Sequence, residues 1–220
     1  MTRVILIADD HPLFREALKL AVSQAVAGAR VIEAGCVESL FAALDAHEQL
    51  ELLLLDLSMP GAHGFSALVQ ARAHYPAVPL IVISACEDRS IIERALAHGA
   101  AGFVPKSSPS EAIADALRVV LQGGVWTPAS SAAMDAKLDT AEADAAARLA
   151  TLTQQQFRVL SMLSNGWLNK QIASELGVGE ATVKAHMTAI MQKLSVTNRT
   201  QAVLIAQRLA LDHPHSSAAP

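Results

Sequence analysis

Four short apolar runs in the first half of the chain each end on a side chain suited to acyl-phosphate chemistry. Val4–Ala8 runs into Asp9-Asp10, Leu52–Leu55 into Asp56, Leu80–Ile83 into Ser84, and Gly102–Pro105 into Lys106. Three carboxylates crowded into one site are tolerable mainly with a hard divalent cation, and magnesium favours a few carboxylates plus waters and phosphate oxygens. A carboxylate can itself attack phosphorus and form an aspartyl-phosphate. Protein catalysis of phosphoryl transfer is mostly positioning and charge neutralisation, which a lysine ammonium and a serine hydroxyl supply. Asp56 is the best nucleophile candidate, because it ends the most hydrophobic run and should therefore sit on a central strand.

Aliphatic runs of this length without polar alternation predict strands buried on both faces, as in a parallel sheet covered by helices. In such sheets the ligand crevice lies beyond the carboxyl ends of the strands, which brings all five side chains to one edge. Taken singly, an aspartate after a strand is usually a turn or cap residue and a lysine is usually solvated. Here every strand end carries a compatible group in order, with spacings that leave room for crossover helices. Helical patterns fall at roughly 13–45 (two helices around a strand near Val31–Ala34), 65–74, 88–98 and 109–122. The last of these is expected to open with Ser108 as N-cap, Pro109 in the first turn and Glu111 closing a capping box. His11, between the acidic pair and Pro12, reads as a turn residue.

Two hundred and twenty residues suit two small domains, and 52% hydrophobic with 4% aromatic side chains implies an aliphatic, alanine-rich core. No secretory leader pattern and no apolar run of membrane-spanning length occurs in the sequence. Cys36 and Cys86 lie in no metal-binding spacing and suggest reduced thiols in a cytoplasmic protein. The net charge of −4 is unevenly spread: residues 1–125 carry −5, 126–150 carry −2 and 151–220 carry +3. That sign change makes the C-terminal part the better surface for a polyanion.

Residues 126–150, with Pro128, serines and many alanines, read as a linker with a helical stretch from about Met134 to Leu149. Residues His213 to Pro220 read as a frayed tail. Between them stand four helix signals. Thr153-Gln154-Gln155-Gln156 is a capping box opening a helix that stops at Gly166. A short helix spans about Asn169–Leu176, Gly177-Val178-Gly179 makes a tight turn, and helices follow from Glu180 to Leu194 and from near Asn198. Two helices joined by a short glycine turn form the helix-turn-helix arrangement, whose second helix enters the major groove. A plain helical bundle is the alternative. Against it, the Glu180–Leu194 helix offers Thr182, Lys184, His186, Thr188 and Lys193 on its outer face and no carboxylate after Glu180.

Two resemblances complete this reading. Through Ala8-Asp9-Asp10-His11-Pro12-Leu13, Asp56-Leu57-Ser58-Met59-Pro60-Gly61 and Gly99 to Lys106, the first ~125 positions resemble the receiver domain of two-component response regulators, a flavodoxin-like fold with strand order 2-1-3-4-5. Through Asn169-Lys170-Gln171-Ile172-Ala173, Ala181 to His186 and Lys193 to Arg199, the C-terminal part resembles the LuxR-type helix-turn-helix. Together they make the chain similar to NarL/FixJ-type regulators. The resemblance implies Asp56 as phosphoacceptor for a sensor histidine kinase. It implies magnesium held by Asp10, Asp56 and the Ser58 backbone carbonyl, with Asp9 acting through water. Ser84, Phe103 and Lys106 become the phosphate-contact and switch residues, although simple packing is an equally open reading of Phe103. Lys184, Ala185 and Thr188 would face the groove, with Thr182 and His186 beside them; Asn169, Lys170, Lys193 and Arg199 would favour phosphates.

The expected architecture is thus an α/β doubly wound five-stranded parallel sheet (1–125), a partly helical linker (126–148), an all-α DNA-binding domain (149–212) and a tail (213–220). The expected function is that of a phosphorylation-dependent transcription regulator rather than an enzyme, cytoplasmic and without membrane contact. Such a regulator would form a homodimer on double-stranded DNA carrying an inverted repeat, with RNA polymerase a further partner it could meet. The five-residue apolar stretch Ala202–Ala206 supports the dimer. The acidic first domain is expected to cover the basic surface until phosphate resets the switch. An aspartyl-phosphate phosphatase would lack a second acid two residues after its nucleophile, and a phosphorylation-independent DNA-binding protein would not need the intact acidic set. Departures are modest. Ala62-His63 replaces the usual Met-Asp, and Ser107 stands where proline is common. Gln155, Gln156 and Arg158 rewire the ion pairs of the first C-terminal helix. Gly179 replaces a serine N-cap at a cost of a few tenths of a kcal/mol.

Overall fold

The computed structural model describes residues 2–128 and 138–210. Five parallel strands, β1 (Val4–Ala8), β2 (Arg30–Ala34), β3 (Leu50–Asp56), β4 (Leu80–Ser84) and β5 (Gly102–Pro105), form one sheet in the order β2-β1-β3-β4-β5. The fully buried run Leu52–Leu55 places β3 at the centre, between β1 and β4. Alternate residues serve opposite faces. Leu53 and Leu55 join one core, and Leu52 and Leu54 join another beneath α1 (Pro12–Ala25) and α5 (Ser110–Leu121). The first face is covered by α2 (Val37–Ala46), α3 (Ser66–His74) and α4 (Arg89–Ala97). Pro105 is tolerated because β5 is the edge strand. Trp126 extends that edge by one bridge, accepting from the Phe103 amide at 3.1 Å and donating to the Ala101 carbonyl at 3.1 Å.

The start of α5 differs from expectation. Pro109 itself is the N-cap, with extended backbone, Ser110 is the first helical residue, and no side chain caps the helix. Ser108 instead belongs to the preceding turn, its amide bonded to the Pro105 carbonyl at 3.0 Å. The linker helix, α6, spans Thr140–Ala150 and begins where Asp139 accepts from the Ala141 amide. Residues 138 and 139 are non-helical, so the helix starts later than the composition suggested; Met134 and the tail lie outside the described residues.

The C-terminal elements match their signals closely. The helices are α7 (Gln154–Ser164), α8 (Asn169–Leu176), α9 (Glu180–Lys193) and α10 (Arg199–Gln207). Thr153 and Gln156 close the capping box with bonds of 3.3 and 3.0 Å. Gly177 ends α8 at φ +64, a left-handed conformation that costs glycine nothing and fixes the tight turn into α9. Among the described residues no helix is long and apolar enough to cross a membrane.

The two halves share one core. Ala146, Leu149, Leu152 and Phe157 join the cluster under α2, α3 and α4, and the Phe41 and Phe157 rings meet edge to face at 5.9 Å. Polar groups complete the contact. The buried Gln70 donates to the Leu149 carbonyl, His74 Nε2 lies 2.8 Å from the Leu152 carbonyl, and the Phe65 amide donates to the Leu209 carbonyl at 2.8 Å. The linker helix is therefore an interface element rather than a spacer.

Candidate phosphoacceptor site and nucleic-acid interface

The parallel register delivers the predicted side chains to one sheet edge. Asp9 and Asp56 are sealed from solvent, at 0% and 1% exposure, while Asp10 is half-buried. Lys106 reaches in from the end of β5, its ammonium 2.7 Å from Asp9 Oδ2 and 2.9 Å from Asp56 Oδ2. The Ser58 amide donates to Asp56 Oδ1 at 3.0 Å, and the Ser84 hydroxyl, buried at the end of β4, accepts from the Cys86 amide at 3.1 Å. An open cleft of about 420 Å³ lies over the group, reached past His11, Leu13 and Phe14.

Electrostatics favour a bound cation. Burial, and secondarily the Asp9 charge, raise the Asp56 pKa above its ordinary value against the bonds from Lys106 and the Ser58 amide. Burial also opposes the charge on Lys106, but its bonds to Asp9 and Asp56 outweigh that and raise its pKa. One ammonium thus serves two buried carboxylates while a third stands alongside. Asp9, Asp10, His11 and Asp56 each offer a ligand atom within 4.8 Å of the others. Among the described residues Asp9 Oδ2 and Asp10 Oδ1 are buried and accept no well-formed hydrogen bond; the Lys106 ammonium and the His11 ring respectively lie 2.7 Å from them. Oxygen-rich, under-satisfied carboxylates of this kind fit a hard divalent ion.

Two details escaped the sequence reading. His11 is more than a turn residue: its amide donates to Asp9 Oδ1 at 2.8 Å and its ring faces Asp10. Phe14 lies under the Lys106 ammonium, 4.9 Å from ring centroid to nitrogen, and Arg15 donates to the Asp9 carbonyl at 2.7 Å. Their position on the first turn of α1 is the only signal that could have flagged them. Phe103 is fully enclosed in the core, so any motion of its ring requires its neighbours to move.

The C-terminal residues divide. Thr182, Lys184, Ala185 and Thr188 are exposed on α9, and Lys170 is exposed on α8 beside a half-buried Asn169. His186 and Lys193 flank the buried Val183, Met187 and Ile190 instead of the outward stripe, and Lys193, though exposed, is held by intramolecular bonds. His186 is half-buried, and the Lys193 ammonium donates to the Thr151 carbonyl and to Gln156 Oε1, both at 2.8 Å. Arg199 donates to the Trp167 carbonyl, and Arg158 pairs with Glu38 of the first domain. Three of the six cations in 151–220 are therefore spent inside the protein. The expectation that the acidic domain covers the basic surface is not met. That domain packs on α6, the start of α7 and the end of α10, where the apolar area is, and leaves the outer face of α9 open.

Comparison with known proteins agrees with both halves. Residues 5–118 match the family described as the response regulator receiver domain, and residues 150–206 match the bacterial regulatory proteins of the luxR family. A glycerol metabolism activator of Pseudomonas putida is 40% identical over 207 residues, covering 92% of this chain and 94% of that protein. The nitrate/nitrite response regulator NarL of Escherichia coli K12 is 30% identical over 207 residues, covering 91% and 93%. RcsB of Salmonella enterica serovar Typhimurium, bound to a promoter in the presence of a beryllium fluoride phosphomimetic, shares the fold with a TM-score of 0.56 at 23% identity, covering 96% of this chain and 100% of that one.

Proposed function

We propose, from the premise that this chain belongs to the response regulators joining a receiver domain to a LuxR-type helix-turn-helix, that Asp56 is its phosphoacceptor and that the acyl-phosphate sets the affinity for DNA. The protein is a DNA-binding transcription regulator. The observation that carries the finer reading is Asp56 itself. It is a buried carboxylate at the end of the central strand, with an ammonium at 2.9 Å and an amide at 3.0 Å on separate oxygens. An Asp56 oxygen would attack the phosphorus of a phosphohistidine on a sensor kinase; the phosphorus–nitrogen bond breaks, and the imidazole leaves with a proton. Asp10, Asp56 and the Ser58 carbonyl would hold magnesium, with Asp9 acting through water, and that ion would neutralise charge on the phosphoryl oxygens. Lys106 and Ser84 would contact the same oxygens.

Release of the C-terminal domain is the proposed output. Polar contacts tie the phosphorylation loops to it. The Ser161 hydroxyl donates to the Gly61 carbonyl, five residues beyond Asp56. Helix α4, which follows Ser84, presents Arg94 and His98 to Glu142 of α6 at 2.9 and 2.7 Å. Drawing Ser84 towards a phosphoryl group would strain the Glu142 contact, with Phe103 repacking beneath it. The freed domain would dimerise through α10, whose Leu204 is 53% exposed, and read an inverted repeat; RNA polymerase would be met at such a site. The test is labelling by acetyl phosphate in magnesium. Asp56→Asn should take up no base-labile phosphate, whereas uptake at the wild-type rate would move the acceptor to Asp9 or Asp10.

A further inference from the structure

The outward stripe of α9 carries a specific base-reading chemistry. Opposite the buried Val183, Met187 and Ile190 stand Ala181, Ala185, Thr188 and Gln192, flanked on one side by Lys184 and on the other by Thr182. All six are exposed. Three of the four central positions end in methyl groups. Thr188 behaves as one of them, because its hydroxyl donates to the Lys184 carbonyl at 3.1 Å and has no hydrogen left for a base. Lys184 makes no ion pair or hydrogen bond through its ammonium among the described residues, so it is the one cation on the stripe available to a guanine.

We infer that α9 reads thymine methyl groups beside a single guanine. In the major groove each base pair shows a distinct pattern, and thymine alone shows a methyl; alanine and the threonine methyl contact it, while lysine pairs with guanine O6 and N7. The stripe holds no asparagine, and no glutamine before Gln192, to clamp adenine, and no carboxylate to accept from cytosine. Its central positions fall one helical turn apart, so Ala181, Ala185 and Thr188 meet successive bases along the groove. The half-site is therefore a thymine-rich segment interrupted by one guanine. This rests on α9 being the helix that enters the groove.

The test uses the full chain with magnesium and beryllium fluoride, and a pool of duplexes with a random core. Enriched duplexes should carry thymines flanking a guanine in each half-site. Replacing those thymines one at a time by deoxyuridine removes only the methyl and should raise Kd about fourfold at two or more positions, the worth of one buried methyl (about 0.8 kcal/mol). Thr188→Val keeps the methyl and should still prefer thymine to deoxyuridine at the position it meets. Thr188→Ser should bind thymine and deoxyuridine equally at one position, with an unchanged melting temperature showing that the helix is intact. Enriched sites whose affinity ignores deoxyuridine everywhere would overturn the methyl readout and leave DNA binding standing. No enrichment at all would overturn both.

Discussion

Lys106→Met probes the charge balance of the acidic site most sharply. In the wild type one ammonium lies 2.7 Å from Asp9 and 2.9 Å from Asp56, with side-chain exposures of only 15%, 0% and 1%. Methionine fills similar space without the charge. Removing one partner of a buried ion pair typically costs about 3–5 kcal/mol, because the remaining charge is left uncompensated. Asp56 softens this, since its pKa is already raised and it can take up a proton; the lower end, about 3 kcal/mol, is expected. Because the two halves share one core, about 3 °C per kcal/mol, the value for a unit of roughly 200 residues, gives a fall of about 9 °C in Tm. Magnesium should reverse most of it. A cation at a hundred times its Kd stabilises by about 2.7 kcal/mol, and in the variant no ammonium competes for the same oxygens. Calorimetry in EDTA and in excess magnesium reads both effects. A wild-type Tm in EDTA, or equal magnesium shifts in the two proteins, would refute the picture of one cation shared by two buried carboxylates.

Other consequences follow from side-chain placement. Lys184→Ala should weaken binding to the enriched duplex about tenfold or more and flatten its salt dependence, by losing about 1–3 kcal/mol of base or phosphate contact. Lys193→Ala should leave that salt slope unchanged and lower Tm instead, since its ammonium bonds Thr151 and Gln156; the opposite pattern in binding titrations would reverse the two assignments. Burial lowers the His98 pKa against the pull of Glu142. The unfolded chain then binds this proton more readily than the folded one, so stability is full above about pH 6.5 and declines as pH falls through 6.5 to the depressed value. His98→Gln should remove that part of the decline in urea melts recorded across this range, and an unaltered pH profile would show that His98 is not its source.

Much of the fold was legible because the signals were local. Leu52–Leu55 announced a central strand, the Thr153 capping box set the start of α7, and Gly177 set the turn before α9. The acidic cluster was legible for a topological reason: a parallel sheet sends every strand's end to the same edge, so order along the chain became proximity in space. What stayed hidden depends on contacts between distant segments. No pattern in 126–150 distinguishes a spacer from α6, whose Leu149 and Glu142 find partners only when the two halves meet. Likewise Lys193 and Arg199 look like free cations in the sequence, and only the packing of α9 and α10 turns them to backbone carbonyls. Ser108 was misread because a serine before Pro109 satisfies the capping pattern, while the turn from Pro105 holds it elsewhere.

The central claim is that chemistry at Asp56 controls the grip of α9 on DNA. Fluorescence anisotropy of one enriched duplex, titrated with wild-type protein and with Asp56→Asn, each with and without beryllium fluoride in magnesium, tests it most directly. Wild-type affinity should be at least tenfold tighter with beryllium fluoride, and that of the variant should not change. Equal affinity of the wild type in both states, or an equal response of Asp56→Asn, would contradict it.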